Sequence, residues 1–306
     1  MGDQAGRVST SRPAFSILGL EDCVLLFNRV LLCVVVFTSL NGCGGNGQED
    51  PQSSAPLPLP TPVQGEWYSP ALGTTWQWQL SGDLNTQYDV DVYDVDLFDV
   101  SESHIANLHS QGKQVICYFS AGSYEQWRED AAQFPAHVLG DTLDGWEDER
   151  WLDIRDERVL AIMDSRIELA KSKECDAVEP DNVDGYTNHT GFNLTHEDQL
   201  AFNVALSDSA HAAGLGIGLK NDLDQIIELV PYFDFAVNEQ CFEYSECEAL
   251  QPFINANKAV FNAEYHSRWV NDETARADLC EQANAMGFST LVLPLVLDDS
   301  FRFSCL

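Results

Sequence analysis

Residues 176–186 read "DAVEPDNVDGY" and follow a helix-like segment ending "ELAKSKEC". The run opens apolar at Ala177 and Val178, then turns acidic at Glu179 and Asp181, before Asp184 and Gly185 give a turn signal. A short apolar run between a helical pattern and a turn reads as a buried strand. When several such strands carry their polar residues at their C-terminal ends, a parallel sheet gathers those ends on one face.

The same shape recurs on both sides of this stretch. Comparable runs occur at 74–80 "TTWQWQL", 89–98 "DVDVYDVDLF", 114–122 "QVICYFSAG", 215–222 "LGIGLKND", 233–239 "FDFAVNE", 258–265 "KAVFNAEY" and 289–295 "STLVLPL". With 176–182 they make eight candidate strands. Helix-like segments at 102–111, 157–173, 194–213, 222–229, 246–257 and 274–286 lie between most of them. Ser101, Thr195 (with Asp198 three residues on) and Asp272 stand where N-caps belong. Alternating strands and helices predict covered parallel pairing, and eight strands predict a TIM-like (β/α)8 barrel, an α/β fold that forms a single domain over 66–306. The connection "SGDLNTQY" is too short for a helical crossover, so it is expected to be a loop. Residues 123–155, which include Trp127, Trp146 and Trp151, are expected to form an elaborated loop.

Ahead of the domain, "RVLLCVVVFTSLNGC" sets Arg29 before an apolar run too short to span a bilayer, ending in small residues at Cys43. "LNGC" resembles a bacterial lipobox. Residues 1–43 are therefore expected to be a lipoprotein signal peptide, with Cys43 lipidated and the protein held on the bacterial cell envelope. Residues 44–65 are Gly, Ser and Pro-rich, the composition of a tether. Six later cysteines (Cys117, Cys175, Cys241, Cys247, Cys280, Cys305) allow three disulfides in an exported chain. The short loop between Cys241 and Cys247 makes them the favoured pair.

The net charge is −33, and only five acids and three arginines precede Glu66, so the domain carries nearly all of it. Such a field repels nucleic acid and anionic membrane surfaces and concentrates cations. It suits either a solubility adaptation or a cationic substrate, and charge alone does not separate them.

Polar residues close the strand runs at Asp94 and Asp96, Tyr118, Glu179 and Asp181, Lys220 with Asn221 and Asp222, Glu239, and Glu264 with Tyr265. A single acid there is often a helix cap; acids closing five of eight strands point to a site. The spacing around Glu179 breaks the EF-hand pattern, no G-x-S-x-G turn is present, and the seven histidines fall mostly on helices or loops. No metal or cofactor is expected. Paired carboxylates with aromatic company fit glycosidic-bond cleavage, in which one carboxyl protonates the leaving oxygen and the other attacks or activates water. Trp78, Tyr118, Trp127 and Tyr265 are candidate platforms for sugar faces.

From about residue 75 to 297 the chain resembles glycoside hydrolase family 114, the endo-α-1,4-polygalactosaminidases. The resemblance is carried by "VDVYDVDLFD", "CYFSAGSYEQWR", "LDGWEDERWLDIR", "CDAVEPDNVDGYTNHTGF", "GLKND", "FDFAVNEQCFEYSEC" and "KAVFNAEY". It implies a TIM-like barrel that hydrolyses α-1,4-linked galactosamine polymer, with Asp181 and Glu239 as the catalytic acids. Asp181 would be nucleophile or transition-state stabiliser and Glu239 acid/base, or the reverse. The implied partner is a cationic polysaccharide, bound by a monomer that meets the membrane only through its anchor. Asp94, Asp96, Glu179, Asp222 and Glu264 are candidates for pairing with the sugar ammonium, and Lys220 is expected to pair with a neighbouring acid such as Glu179. Other readings are a non-catalytic polysaccharide-binding lipoprotein of the same fold, and a hydrolase of another α-galactan.

Overall fold

The computed structural model describes residues 59–306. The expected signal peptide, the lipidation position Cys43 and most of the tether lie outside the described residues. Eight parallel strands form the barrel wall: β1 (Trp76–Gln79), β2 (Val92–Asp96), β3 (Gln114–Ser120), β7 (Ala177–Asp181), β8 (Gly216–Lys220), β9 (Phe235–Glu239), β10 (Val260–Glu264) and β11 (Ser289–Val292). Each falls within one of the eight predicted runs. The wall is not closed by a continuous ladder. A two-residue strand, β12 (Phe303–Ser304), pairs antiparallel with β11 and takes its free edge. Arg302, next to it, donates to the Trp76 carbonyl and the Gln77 side chain of β1. The Trp76 indole N–H reaches Ser289 O at 2.8 Å, and Leu80 and Ser81 N–H both reach Leu297 O. Closure is thus made by side chains and by the backbone bonds to Leu297, beside a short strand that covers the β11 edge.

Strand parity builds two cores. Trp76, Trp78, Val92, Ile116, Ala177, Phe235, Val237, Phe261 and Ala263 fill the barrel interior, with Trp76 stacked on Phe261 at 4.8 Å. Neighbouring positions such as Tyr93, Val95, Cys117, Val178, Ile217 and Val260 face the other way, into the core shared with the helices. Burying one such large side chain stabilises by about 1.5–3 kcal/mol, so each strand's alternation fixes which residues look inward.

The helices are α1 (Glu102–Ser110), α2 (Glu157–Ser172), α3 (His196–Ala213), α4 (Ile226–Leu229), α5 (Cys241–Tyr244), α6 (Gln251–Asn255), α7 (Ser267–Asn271) and α8 (Glu273–Met286). The predicted caps are in place. Ser101 accepts from His104 N, Thr195 and Asp198 form a capping box, and Asp272 accepts from Thr274 and Ala275 N. As expected, β1 and β2 are joined without a helix.

The expected loop at 123–155 contains a small antiparallel sheet: β4 (Ser123–Glu125), β5 (Leu139–Leu143) and β6 (Trp146–Leu152), in the order β4-β6-β5. Disulfides join Cys117–Cys175, Cys241–Cys247 and Cys280–Cys305. The second is the pair favoured by its short loop.

Candidate active site

Three consecutive strands, β7, β8 and β9, end in Asp181, Lys220 and Glu239. Each is followed at once by a left-handed residue: Asn182 (φ 61°), Asn221 (φ 49°) and Gln240 (φ 62°). Asn tolerates this region better than most residues, yet three such positions in one ring store backbone strain, a pattern concentrated at functional sites. The turn after β7 is held by Ala121 and Gly122 N–H, which donate to Asp181 O at 2.8 and 3.0 Å. A Cβ at position 122 would sit 1.7 Å from Asn182 O, so only glycine permits this approach.

Lys220 is the hub. Its Nζ lies 3.2 Å from Glu179 Oε1, 3.3 Å from Asp181 Oδ1 and 3.4 Å from Glu239 Oε2, and 4.9 Å from the centre of the Trp78 ring. Burial works against its ammonium, but Asp181, Glu239 and Glu179 outweigh it and hold the lysine well above its ordinary value. The two shared legs place Asp181 Oδ1 and Glu239 Oε2 no more than 6.7 Å apart.

Asp181 Oδ2 accepts from the Tyr118 hydroxyl at 2.9 Å, and Oδ1 from Asn182 N at 2.7 Å as well as from Lys220. Glu239 Oε1 accepts from the Tyr265 hydroxyl at 2.6 Å, while its backbone N–H donates to Asn221 Oδ1 at 3.0 Å. Burial raises the Glu239 carboxyl above its usual range; Lys220 opposes this and Asp181 adds to it. Behind the lysine, Glu179 and Asp94 are wholly buried. Burial and the Glu179 carboxyl push Asp94 well up, and burial raises Glu179 to about 7 against the pull of Lys220. These two adjacent carboxyls behave as a pair sharing a proton.

The structure thus gathers Asp181, Glu239, Glu179, Lys220, Asn221, Tyr118, Tyr265 and Trp78, with Asp94 beneath them. It separates others from the cluster. Asp96 closes β2 but is clamped by the Arg128 guanidinium, which also binds Glu125 of β4. Glu264 stands one residue before the inward Tyr265, so strand parity turns it to the helix side, where it accepts from Phe242 N at 2.8 Å. Burial raises Glu264 to about 8. Trp127 is exposed on the loop after β4, beside Arg128. Asp222 (φ 44°) is buried and accepts from Asn203 of α3 at 2.9 Å.

Asp184 is the residue that sequence reading passed over as part of a turn. It is half-buried with Oδ1 sealed and unpartnered, and burial followed by the charge of Asp181 raises it to about 7. The "DNVDG" context carries no signal separating a turn aspartate from one facing a site.

The sequence profile of glycoside-hydrolase family GH114 matches residues 58–306. The crystal structure of Ega3 from Aspergillus fumigatus in complex with galactosamine superposes with a TM-score of 0.75 at 39% identity, covering 80% of this chain and 100% of that one. The glycoside hydrolase domain of PelA from Pseudomonas aeruginosa shares the fold, with a TM-score of 0.59 at 14% identity over 75% of this chain and 97% of that one. No curated protein matches the sequence. The eight-stranded barrel with its acid-lined C-terminal face therefore has its place among known enzymes: the chain belongs to glycoside-hydrolase family GH114, and it is a glycosidase.

Proposed function

We propose that this glycosidase cleaves α-1,4-linked galactosamine polymer internally by a two-carboxylate mechanism, with Asp181 as nucleophile and Glu239 as acid/base. The observation that carries the reading is the Lys220 ammonium shared between the two acids, each of which also accepts from its own tyrosine. Asp181 accepts from Tyr118, from the Asn182 backbone N–H and from Lys220, contacts that favour an ionised carboxylate suited to attack. Glu239 is raised by burial and by Asp181, which suits a group that begins by giving a proton to the leaving oxygen. Once Asp181 is esterified its charge is gone, and the same Glu239 then holds its proton less tightly and can take one from water. The shared lysine keeps one oxygen of each acid within 6.7 Å of the other, which is compatible with the roughly 5–5.5 Å carboxyl spacing of double displacement. Galactosamine bound to Ega3 supports the sugar class.

Three disulfides among the described residues are consistent with an oxidising, secretory route. Lipid anchoring at Cys43 rests on the "LNGC" motif alone, and the 39%-identical relative is fungal, whereas this lipidation is bacterial.

The test is reducing-end release from de-N-acetylated α-1,4-galactosamine polymer by the wild type, Asp181→Asn and Glu239→Gln. Turnover should fall by at least ~10³-fold in each variant, with polymer still retained. Full activity in either variant overturns the assignment; an inactive wild type that grips polymer supports the binding-protein reading instead.

A further inference from the structure

On the helix side of the wall, Ala236 of β9, Val260 of β10 and Phe288 just before β11 belong to the apolar core. Two residues further along each strand, on that same side, stand Asn238, Asn262 and Thr290, all buried. The three are in register, Asn238 opposite Asn262 and Asn262 opposite Thr290. Amides in an apolar wall are costly unless their bonds are made. Here the bonds run in one direction.

Thr290 Oγ1 donates to Asn262 Oδ1 at 3.0 Å, Asn262 Nδ2 to Asn238 Oδ1 at 3.2 Å, and Asn238 Nδ2 to Asn221 Oδ1 at 3.3 Å. Asn221 Oδ1 also accepts from Glu239 N at 3.0 Å, and its Nδ2 donates to Glu239 Oε2 at 3.5 Å. A side-chain ladder that starts on β11 therefore ends on a carboxylate of the site. Each amide is oriented by its neighbours. Turning Asn221 over would set its NH2 against two donors and its oxygen against the Glu239 carboxylate. Asn262 is fixed likewise, because its Nδ2 also faces Glu264 Oε1 at 3.4 Å and Cys241 Sγ at 3.6 Å. The left-handed Asn221 backbone (φ 49°) is itself held, with its N–H on Val237 O at 2.9 Å.

We propose that Asn238, Asn262 and Thr290 are positioning residues that act through Asn221 to hold the Glu239 carboxyl in place for proton transfer. This rests on Glu239 being the acid/base of the proposed mechanism. A polar layer then replaces the apolar one at the level where it can reach that carboxyl. The other groups facing Glu239 are Lys220 at 3.4 Å from β8, the Tyr265 hydroxyl at 2.6 Å after β10, and the charge of Asp181 from β7. None of these contacts passes through the ladder, so its removal leaves them in place.

The experiment compares Asn262→Leu, Thr290→Val and Thr290→Ser with the wild type on de-N-acetylated galactosamine polymer, at a temperature where melts show each to be folded. The Glu239 titration is followed separately by carboxyl 13C NMR, its signal assigned by its loss in Glu239→Gln. Asn262→Leu should lower kcat about tenfold, the equivalent of one net hydrogen bond, with KM changed by less than about twofold. The Asn221 donor favours the ionised carboxylate, so the Glu239 midpoint should move upward by about half a pH unit. Thr290→Val should act in the same direction by about threefold in kcat, and Thr290→Ser, which keeps the hydroxyl, should match the wild type. A lower Tm with wild-type kcat and an unmoved Glu239 titration would make the ladder packing alone and overturn the inference. Equal losses in Thr290→Val and Thr290→Ser would overturn it too, and this pair decides if Asn262→Leu does not fold. A fully active Glu239→Gln overturns the functional reading instead, and the Glu239 titration in the ladder variants then decides the ladder by itself.

Discussion

Replacing Lys220 by methionine tests the centre of the site most directly. The side chain is 1% exposed, and its Nζ meets three carboxylates at 3.2–3.4 Å. Each contact has a gross attraction of about 4–5 kcal/mol at an effective dielectric near 20, much of it offset by the cost of burying the ammonium. Methionine keeps the packing against Trp78 but leaves the acids without a cation. Breaking a buried pair in this way costs about 3–5 kcal/mol, or roughly 6–20 °C in Tm for a domain of this size. The loss should depend on pH. Lys220 lowers both Glu179 and Glu239, so its removal raises them further. In acid those carboxyls take up protons and cease to repel; in base they cannot. Thermal melts at about pH 5 and about pH 8 should therefore show a much smaller Lys220→Met penalty at the lower value, and kcat/KM should collapse at neutral pH. An equal penalty at both pH values, or wild-type kcat/KM, would refute the hub.

Two further outcomes follow from the same groups. Tyr265→Phe removes the donor to Glu239 Oε1, which lowers that carboxyl; kcat/KM should drop by about 10–100-fold and the alkaline limb of the pH–rate profile should move upward, whereas a fixed limb would deny the tyrosine its role. In the wild type, Glu179, Asp184, Glu264 and Asp222 titrate in the fold at about 7, 7, 8 and 9, all above their unfolded values. The native state then binds more protons than the unfolded chain, and stability is lost as pH rises from about 4 through about 9. Asp91, Asp153 and Asp298 are lowered by hydrogen bonds and act oppositely, losing stability only as pH falls below about 4. Denaturant midpoints should thus be higher near pH 5 than near pH 8, and a flat profile would contradict the burial of these acids.

Most of the wall was legible because it depends on local periodicity. Eight runs became eight strands, and Ser101, Thr195 and Asp272 cap helices for reasons contained within four residues. Parity decided less well at the strand ends. Glu264 and Tyr265 are adjacent, and only the register of Phe261 and Ala263 in the interior shows that the tyrosine, not the glutamate, looks inward. Asp96 has the parity of Asp94, but the cation that claims it comes from residue 128 on a distant loop. The small sheet within 123–155 was hidden because its strands are largely polar and pair over a β-bulge, weakening the alternation. Of the disulfides, only the one spanning six residues could be inferred locally; Cys117–Cys175 and Cys280–Cys305 depend on which strands and helices become neighbours.

The strand at 303–304 has a bearing on how the barrel is made. It covers the free edge of the eighth wall strand, its neighbour Arg302 reaches back 226 residues to Trp76, and Cys305 is pinned to α8. Until residues 303–304 are docked, the β11 edge stands unpaired, and an unpaired edge can pair with another copy. Assembly is therefore most exposed to misassociation while that edge is open, and the bond from Cys280 to Cys305 is what keeps its cover in place.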